Sequence, residues 1–95
     1  MAAFVVFIRE ETLDPPELAA YSAKVKESFE GHAVTFRAAY GQHEVLEGPT
    51  MEGAVLLEFP DLDAARTWYR SPAYQAAARH RFKGAIYRGF IVQGL

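Results

Sequence analysis

The residue with the most chemistry to offer is an arginine. Arg81 follows Tyr74 by seven positions in a segment of helical spacing. At 100° per residue it returns to within about 20° of the tyrosine's direction, whereas Arg79 falls roughly 140° away. A guanidinium on the inward stripe must meet a carboxylate, a carbonyl or a ligand anion, because burying it unpaired is costly. Two readings follow. One is an intrachain bridge to Glu58 or Glu47; the other is recognition of a carboxylate or similar anion on a small molecule. Glu58 lies in an apolar run and shares a parity with Ala54 and Leu56. There it serves as an arginine partner, as a general base with a raised pKa, or as a strand-end group that reaches solvent. Glu47 has the same readings, and the adjacent Gly48 would let a backbone or ligand approach closely.

Tyr40, Tyr69, Tyr74 and Tyr87 bring aromatic hydroxyls into or beside inward stripes. Such tyrosines pack in cores with one hydroxyl partner, or, grouped near Arg81, line an amphipathic pocket. Trp68 reads as packing rather than as a cofactor platform. Ser71 is explained by helix capping, with no histidine nearby in sequence to activate it. His32, His43 and His80 show no metal-pair spacing, so no metal is expected. No glycine-rich phosphate loop and no axial ligand is recognisable, so no cofactor is expected either. The aromatic-basic strand pattern of RNA-recognition domains is absent from the run 54–59, which argues against nucleic acid.

The elements that must position these groups are set off by clear punctuation. Residues 4–8 are β-branched or aromatic on both parities, the pattern of a strand buried on both faces. Asp14-Pro15-Pro16-Glu17 opens a helix, with Asp14 as cap and Glu17 able to close a capping box. Leu18, Tyr21, Val25 and Phe29 form its stripe, and Gly31 stops it. Residues 34–40 alternate as a second strand; Gly41 marks a bulge or break, with Val45-Leu46 a continuation. A third strand covers 54–59. Asp61 caps a second helix with Leu62, Ala65 and Tyr69 inward and Trp68 beside that stripe. Ser71-Pro72 restarts the helix with Tyr74, Ala77 and Ala78 inward. Gly84 ends it, and a fourth strand covers 85–92. The order β-α-β-β-α-β is the ferredoxin-like split motif, an α+β fold with a four-stranded antiparallel sheet.

Length bounds the rest. The chain has 95 residues, with 12 Asp+Glu, 10 Lys+Arg and no Cys, which fits one domain, residues 1–95. All the acids fall at or before Asp63, while Arg66, Arg70, Arg79, Arg81, Lys83 and Arg88 follow it. This two-signed distribution is not that of a uniformly basic nucleic-acid binder. A hydrophobic content of 51% excludes a disordered acidic tail. The run 4–8 is too short to span a membrane, and the lack of Cys fits a reducing, cytoplasmic setting. A domain this small commonly supplements its core with disulfides, metals or oligomerisation. Strands one, three and four are apolar on both faces, and a one-sided sheet would alternate polar residues outward. The second face therefore needs a cover, and a second copy packed sheet to sheet is the simplest one, so a homodimer is expected.

The segments Ala39-Tyr40-Gly41, Val45-Leu46-Glu47-Gly48, Glu58-Phe59-Pro60, Trp68-Tyr69, Ser71-Pro72-Ala73-Tyr74-Gln75, Arg81 and the ending Phe90-Ile91-Val92-Gln93-Gly94-Leu95 resemble the bacterial "domain of unknown function 1330" family over essentially the whole chain. The resemblance implies a dimeric α+β barrel, a superfamily that includes small cofactor-independent monooxygenases and stress-response barrels. It places the family's recurrent polar positions on Tyr40, Glu47, Ser71, Tyr74 and Arg81, and it transfers no settled activity. Ile86 stands where many relatives carry an acid, and His32-Ala33 replaces a glycine-rich segment. The functional expectation is a protein that binds or transforms a small anionic, partly apolar metabolite without a bound cofactor. In it Arg81 is the anion anchor, Tyr40, Tyr74 and Ser71 contact the substrate, and Glu47 or Glu58 is the proton acceptor. The alternative is a structural or accessory homodimer in which the same arginine and glutamates only stabilise the fold.

Overall fold

The computed structural model describes residues 1–95 and runs β1 (Ala3–Thr12), α1 (Pro15–Ser28), β2 (Thr35–Ala39), β3 (Gly53–Phe59), α2 (Leu62–Arg70), α3 (Pro72–Gly84) and β4 (Ala85–Gln93). The strands form one antiparallel sheet in the order β2-β3-β1-β4, the arrangement expected of the split motif. β1 is central: Val5 pairs with Leu57 on one side and Ile91 on the other. The register divides the sheet into two faces. Ala3, Val5, Phe7, Leu57 and Phe59 are buried beneath the helices. Phe4, Val6, Ile8, Leu56, Phe90 and Val92 share the opposite face, where Phe90 and Val92 are exposed. No helix is long and apolar enough to cross a membrane.

β1 continues past the apolar run through Arg9–Thr12, because β3 offers partners back to Gly53 and β4 back to Ala85. The pairing with β4 shifts register between Arg9 and Glu11. The Asp14–Glu17 capping box does not form. Asp14 makes no side-chain cap bond, and the Glu17 carboxylate instead meets His80 Nδ1 of α3 at 2.6 Å. A partner from a neighbouring helix has outcompeted the local one. The continuation at Val45-Leu46 is also absent, since residues 41–52 carry no strand. Tyr40 adopts φ +58° and turns the chain out of β2, although its N–H still donates to Ala54 O at 2.8 Å. A left-handed backbone at a bulky residue is unusual and is held here by tertiary contacts.

The helix starts at Asp61 and Ser71 follow the sequence reading. Asp61 Oδ1 accepts from Ala64 N at 2.7 Å. Ser71 Oγ accepts from Tyr74 N at 3.2 Å and donates to Trp68 O at 2.7 Å, so one side chain links the end of α2 to the start of α3. Trp68 occupies the middle of the core rather than a position beside the α2 stripe. It is fully buried, stacks on Phe29 at 5.3 Å and packs against Tyr74 at 4.2 Å and Phe59 at 5.5 Å. Its Nε1 donates to Ser28 Oγ at 3.1 Å.

Candidate functional site

The capped first turn of α3 fixes the direction of everything after it. Tyr74, Ala77 and Ala78 lie on the buried side of α3 with no exposure, and Arg81 follows on the same side at 5%. α3 packs chiefly on α1, and the arginine is carried inward by the same stripe. Its Nε donates to Tyr74 Oη at 3.2 Å. The guanidinium carbon lies 4.6 Å from the Phe7 ring centre, 4.9 Å from Phe82 and 5.0 Å from Tyr87. Cation–π contact with three rings partly offsets the loss of water. None of the ion pairs in the molecule includes Arg81, and no fully buried side-chain nitrogen or oxygen is left without a partner. The remaining guanidinium N–H groups make no hydrogen bond within the chain, and Arg81 lines a cavity. That cavity, about 570 Å³, lies between α3 and the β4 edge, and most of its lining is hydrophobic, including Phe7, Phe82, Tyr87 and Ile91.

Two pairs of phenols continue the polar centre. Tyr74 Oη meets Tyr21 Oη of α1 at 3.1 Å, and Tyr40 Oη meets Tyr87 Oη at 2.5 Å. The Tyr40 ring reaches Tyr87 by crossing the sheet. It lies over Gly53, where a Cβ would stand 2.7 Å from the ring, and beneath the Arg9 guanidinium at 4.7 Å. Only glycine leaves room for that crossing. Arg9 is in turn held by Glu52, which also accepts from Thr12. Those Thr12 hydrogen bonds, with Arg9 beside them, keep the Glu52 carboxyl below its ordinary range. On the far side of Phe7 a second crevice of about 270 Å³ opens between α1 and the β2–β3 half of the sheet, lined by Tyr21, Val25, Phe29, Phe36, Tyr40 and Trp68 among others.

Burial raises the pKa of Tyr21, Tyr40 and Tyr74 above the ordinary phenol value of 10.0. Their hydroxyl partners reinforce this at Tyr21 and Tyr40, while Arg81 opposes it at all three. All three are neutral phenols at physiological pH, so they offer hydrogen bonds rather than proton abstraction. A folded pKa above the unfolded one gives stability that is complete below pH 10 and is lost as the pH rises past it towards the folded values. The tyrosinate absorbance at 295 nm should accordingly stay well short of the five-tyrosine total at pH 11, then rise together with loss of circular dichroism. A full rise while the fold persists would contradict this placement.

The other sequence candidates lie elsewhere. Glu58 accepts from Arg37 Nε at 2.8 Å and pairs with Phe4 and Thr35 across the ladder, on the face away from the helices. Glu47 belongs to the 41–52 loop and shares a groove with Ile8, Glu10 and Arg88, on that same outer side. Neither carboxylate bridges Arg81. Ser71 is engaged in capping and lines neither the Arg81 cavity nor the α1 crevice. Tyr74 and Tyr40 do join the centre, and so do Phe7 and Tyr21. Tyr21 was visible only as a stripe residue, and nothing local marked its hydroxyl as the partner of Tyr74.

Several solved structures share this architecture. A protein of unknown function from Rhodopseudomonas palustris superposes with a TM-score of 0.76 at 20% identity, over 99% of this chain and 82% of its own. A dimeric ferredoxin-like protein of unknown function from Thermobifida fusca gives 0.67 at 13% identity, over 99% and 92%. SnoaB, a cofactor-independent oxygenase from Streptomyces nogalater, gives 0.59 at 14% identity, over 99% and 92%. At these identities the likeness is one of fold. No curated protein matches the chain. The model of the family described as "Domain of unknown function (DUF1330)" matches residues 2–95, and the chain belongs to that family.

Proposed function

We propose that this protein binds a small anionic, partly apolar metabolite between its helices and sheet, with Arg81 as the anion anchor. One observation carries the reading: an arginine residue only 5% exposed lines a largely hydrophobic cavity with no carboxylate paired to its guanidinium. A buried cation without a counter-charge is costly, and a ligand carboxylate would remove that cost with two parallel charge-assisted hydrogen bonds. Tyr74 and the Tyr40–Tyr87 pair sit beside the same point and serve as neutral hydrogen-bonding groups. Glu47 and Glu58 lie on the other face of the sheet, so proton acceptance by them has no support within one subunit, and binding is the reading favoured. A role for Arg81 as a structural ion-pair member would call for the carboxylate partner that is absent.

The test is a thermal-shift series with benzoate, phenylacetate and hexanoate against their primary amides. The acids should raise the unfolding midpoint and the amides should not. Equal or absent shifts at millimolar concentration would sink the proposal.

A second copy covering the outer sheet face belongs to the same proposal. Phe4, Val6, Leu56, Phe90 and Val92 form a contiguous apolar surface there, larger in kind than a lone monomer normally leaves to water. Related structures from Thermobifida fusca and Bacteroides fragilis are described as dimeric. Leu56→Lys should drop the light-scattering mass at low micromolar concentration from twice 10.6 kDa to a single chain, with the circular dichroism unchanged. A mass unaffected by the charge would place the contact elsewhere.

A further inference from the structure

The chain has five tyrosines, and only one of their hydroxyls is without a partner. Tyr21 pairs with Tyr74, and Tyr40 with Tyr87. Tyr69 meets another side chain only through its backbone carbonyl, which accepts from Gln75 Nε2 at 2.6 Å. Every fully buried side-chain oxygen in the molecule has a partner, so the Tyr69 hydroxyl is accessible. The residue is partly buried and lines the Arg81 cavity. Its ring packs on Tyr74 with centres 5.3 Å apart, and Tyr74 Oη is the atom that accepts from Arg81 Nε. Burial is the chief cause of the raised Tyr74 pKa, and the nearby Tyr69 phenol adds to it. Tyr69 and Arg81 are thus two neighbours on one cavity, each with hydrogen-bonding capacity that the chain leaves unused.

The same cavity is rich in rings. Five of its 11 lining residues are aromatic, Phe7, Tyr69, Phe82, Tyr87 and Phe90. Against such walls a flat ring gains more than its buried area, because edge-to-face and offset contacts add to it. A saturated ring of the same size gains the area alone. A volume of about 570 Å³ leaves room for a ring and its substituents.

We propose that the ligand of this cavity is a ring-hydroxylated aromatic carboxylate, with its carboxylate at Arg81 and its ring hydroxyl at Tyr69 Oη. This rests on the anion-binding reading above and extends it to a ligand class, with Tyr69 as the residue that selects within it. A ring hydroxyl both donates and accepts, so it can pair with the Tyr69 hydroxyl in either direction. An alkyl acid would engage Arg81 alone, leave Tyr69 without a partner and gain nothing from the five rings. Tyr69 has no other role that its hydroxyl explains, since its packing on Tyr74 needs only the ring.

The experiment is calorimetric titration of the whole protein with benzoate, cyclohexanecarboxylate and the ortho, meta and para hydroxybenzoates, all of them anions at neutral pH. Benzoate should bind roughly 2- to 12-fold tighter than its saturated counterpart, the worth of an aromatic contact beyond area. At least one hydroxybenzoate should exceed benzoate by a further 2- to 12-fold or so, the worth of one neutral hydrogen bond. Tyr69→Phe keeps the ring against Tyr74 and removes a hydroxyl that the fold does not use, so its melting curve should match the parent's. In that variant the preferred isomer should fall to parity with benzoate. If cyclohexanecarboxylate binds as tightly as benzoate, or no isomer exceeds benzoate, the inference is overturned while anion binding stands. A hydroxyl gain that survives in Tyr69→Phe overturns it equally. If no acid binds, the anion-binding reading fails first and the extension with it.

Discussion

Replacing Arg81 with methionine should weaken carboxylate binding by roughly 10- to 150-fold, the equivalent of losing hydrogen bonds to a charged group, while leaving stability almost untouched. Both halves follow from the guanidinium's surroundings. It gives the fold one hydrogen bond to Tyr74 and cation–π contact with Phe7, Phe82 and Tyr87. Against these stands the desolvation of a full charge with no ion pair. Methionine keeps the unbranched stem and a polarizable end against the same rings and removes the charge. Replacing a buried charge by an apolar side chain of similar length is often neutral or stabilising, so a change within about 1.5 kcal/mol is expected. Were Arg81 a structural ion-pair member, the same substitution would cost about 3–5 kcal/mol. Urea denaturation read beside the ligand series separates the two, and a large stability loss with ligand shifts intact would reverse the assignment.

Trp68→Ala should be the most damaging single core change. The indole has no exposed surface, stacks on Phe29 with planes 7° apart and bears on Phe7, Phe59 and Tyr74. Truncation would remove the contact that joins α1, β3 and α3, and such changes cost about 3–5 kcal/mol. Domains of this size hold about 5–15 kcal/mol in total and lose roughly 4–8 °C of melting temperature per kcal/mol. A fall of about 15–30 °C is expected by circular dichroism. Trp68→Phe keeps most of the stack and loses the Nε1 donor. Ser28 Oγ still donates to Val25 O, so no buried group is left unpaired, and the cost should be a small fraction of the alanine value. A loss under about 1 kcal/mol for alanine would show that the core closes without the indole.

What could be read from the chain alone was whatever local physics decides. Asp61 and Ser71-Pro72 marked two helix starts because a cap needs only its own next three residues. The inward direction of Arg81 needed only the helical repeat after Tyr74. The misreadings share a different cause. Asp14 and Glu17 have the spacing of a capping box, but His80 competes for Glu17 from another helix. Trp68 looked displaced from the α2 stripe because the stripe assumes one partner surface, whereas the indole is enclosed by the sheet, α1 and α3 together. Glu47 and Glu58 looked like mates for Arg81, and only the sheet's registration shows that they belong to its other side. The hydroxyl pairs Tyr21–Tyr74 and Tyr40–Tyr87 join residues 53 and 47 positions apart, and no spacing rule reaches that far.

The central place of β1 also bears on how the molecule comes into being. Its first residues pair with the last strand, Ala3 opposite Gln93, and Gly94 N donates to Ala2 O at 2.8 Å. During synthesis β1 therefore waits for β4 until the elements between them have been made. In the interval its apolar run has one open backbone edge, the condition that favours pairing with a stranger. Closing a loop of this length is also entropically slow compared with helix formation. While that edge stays open, the nascent fold should depend on chaperone shielding.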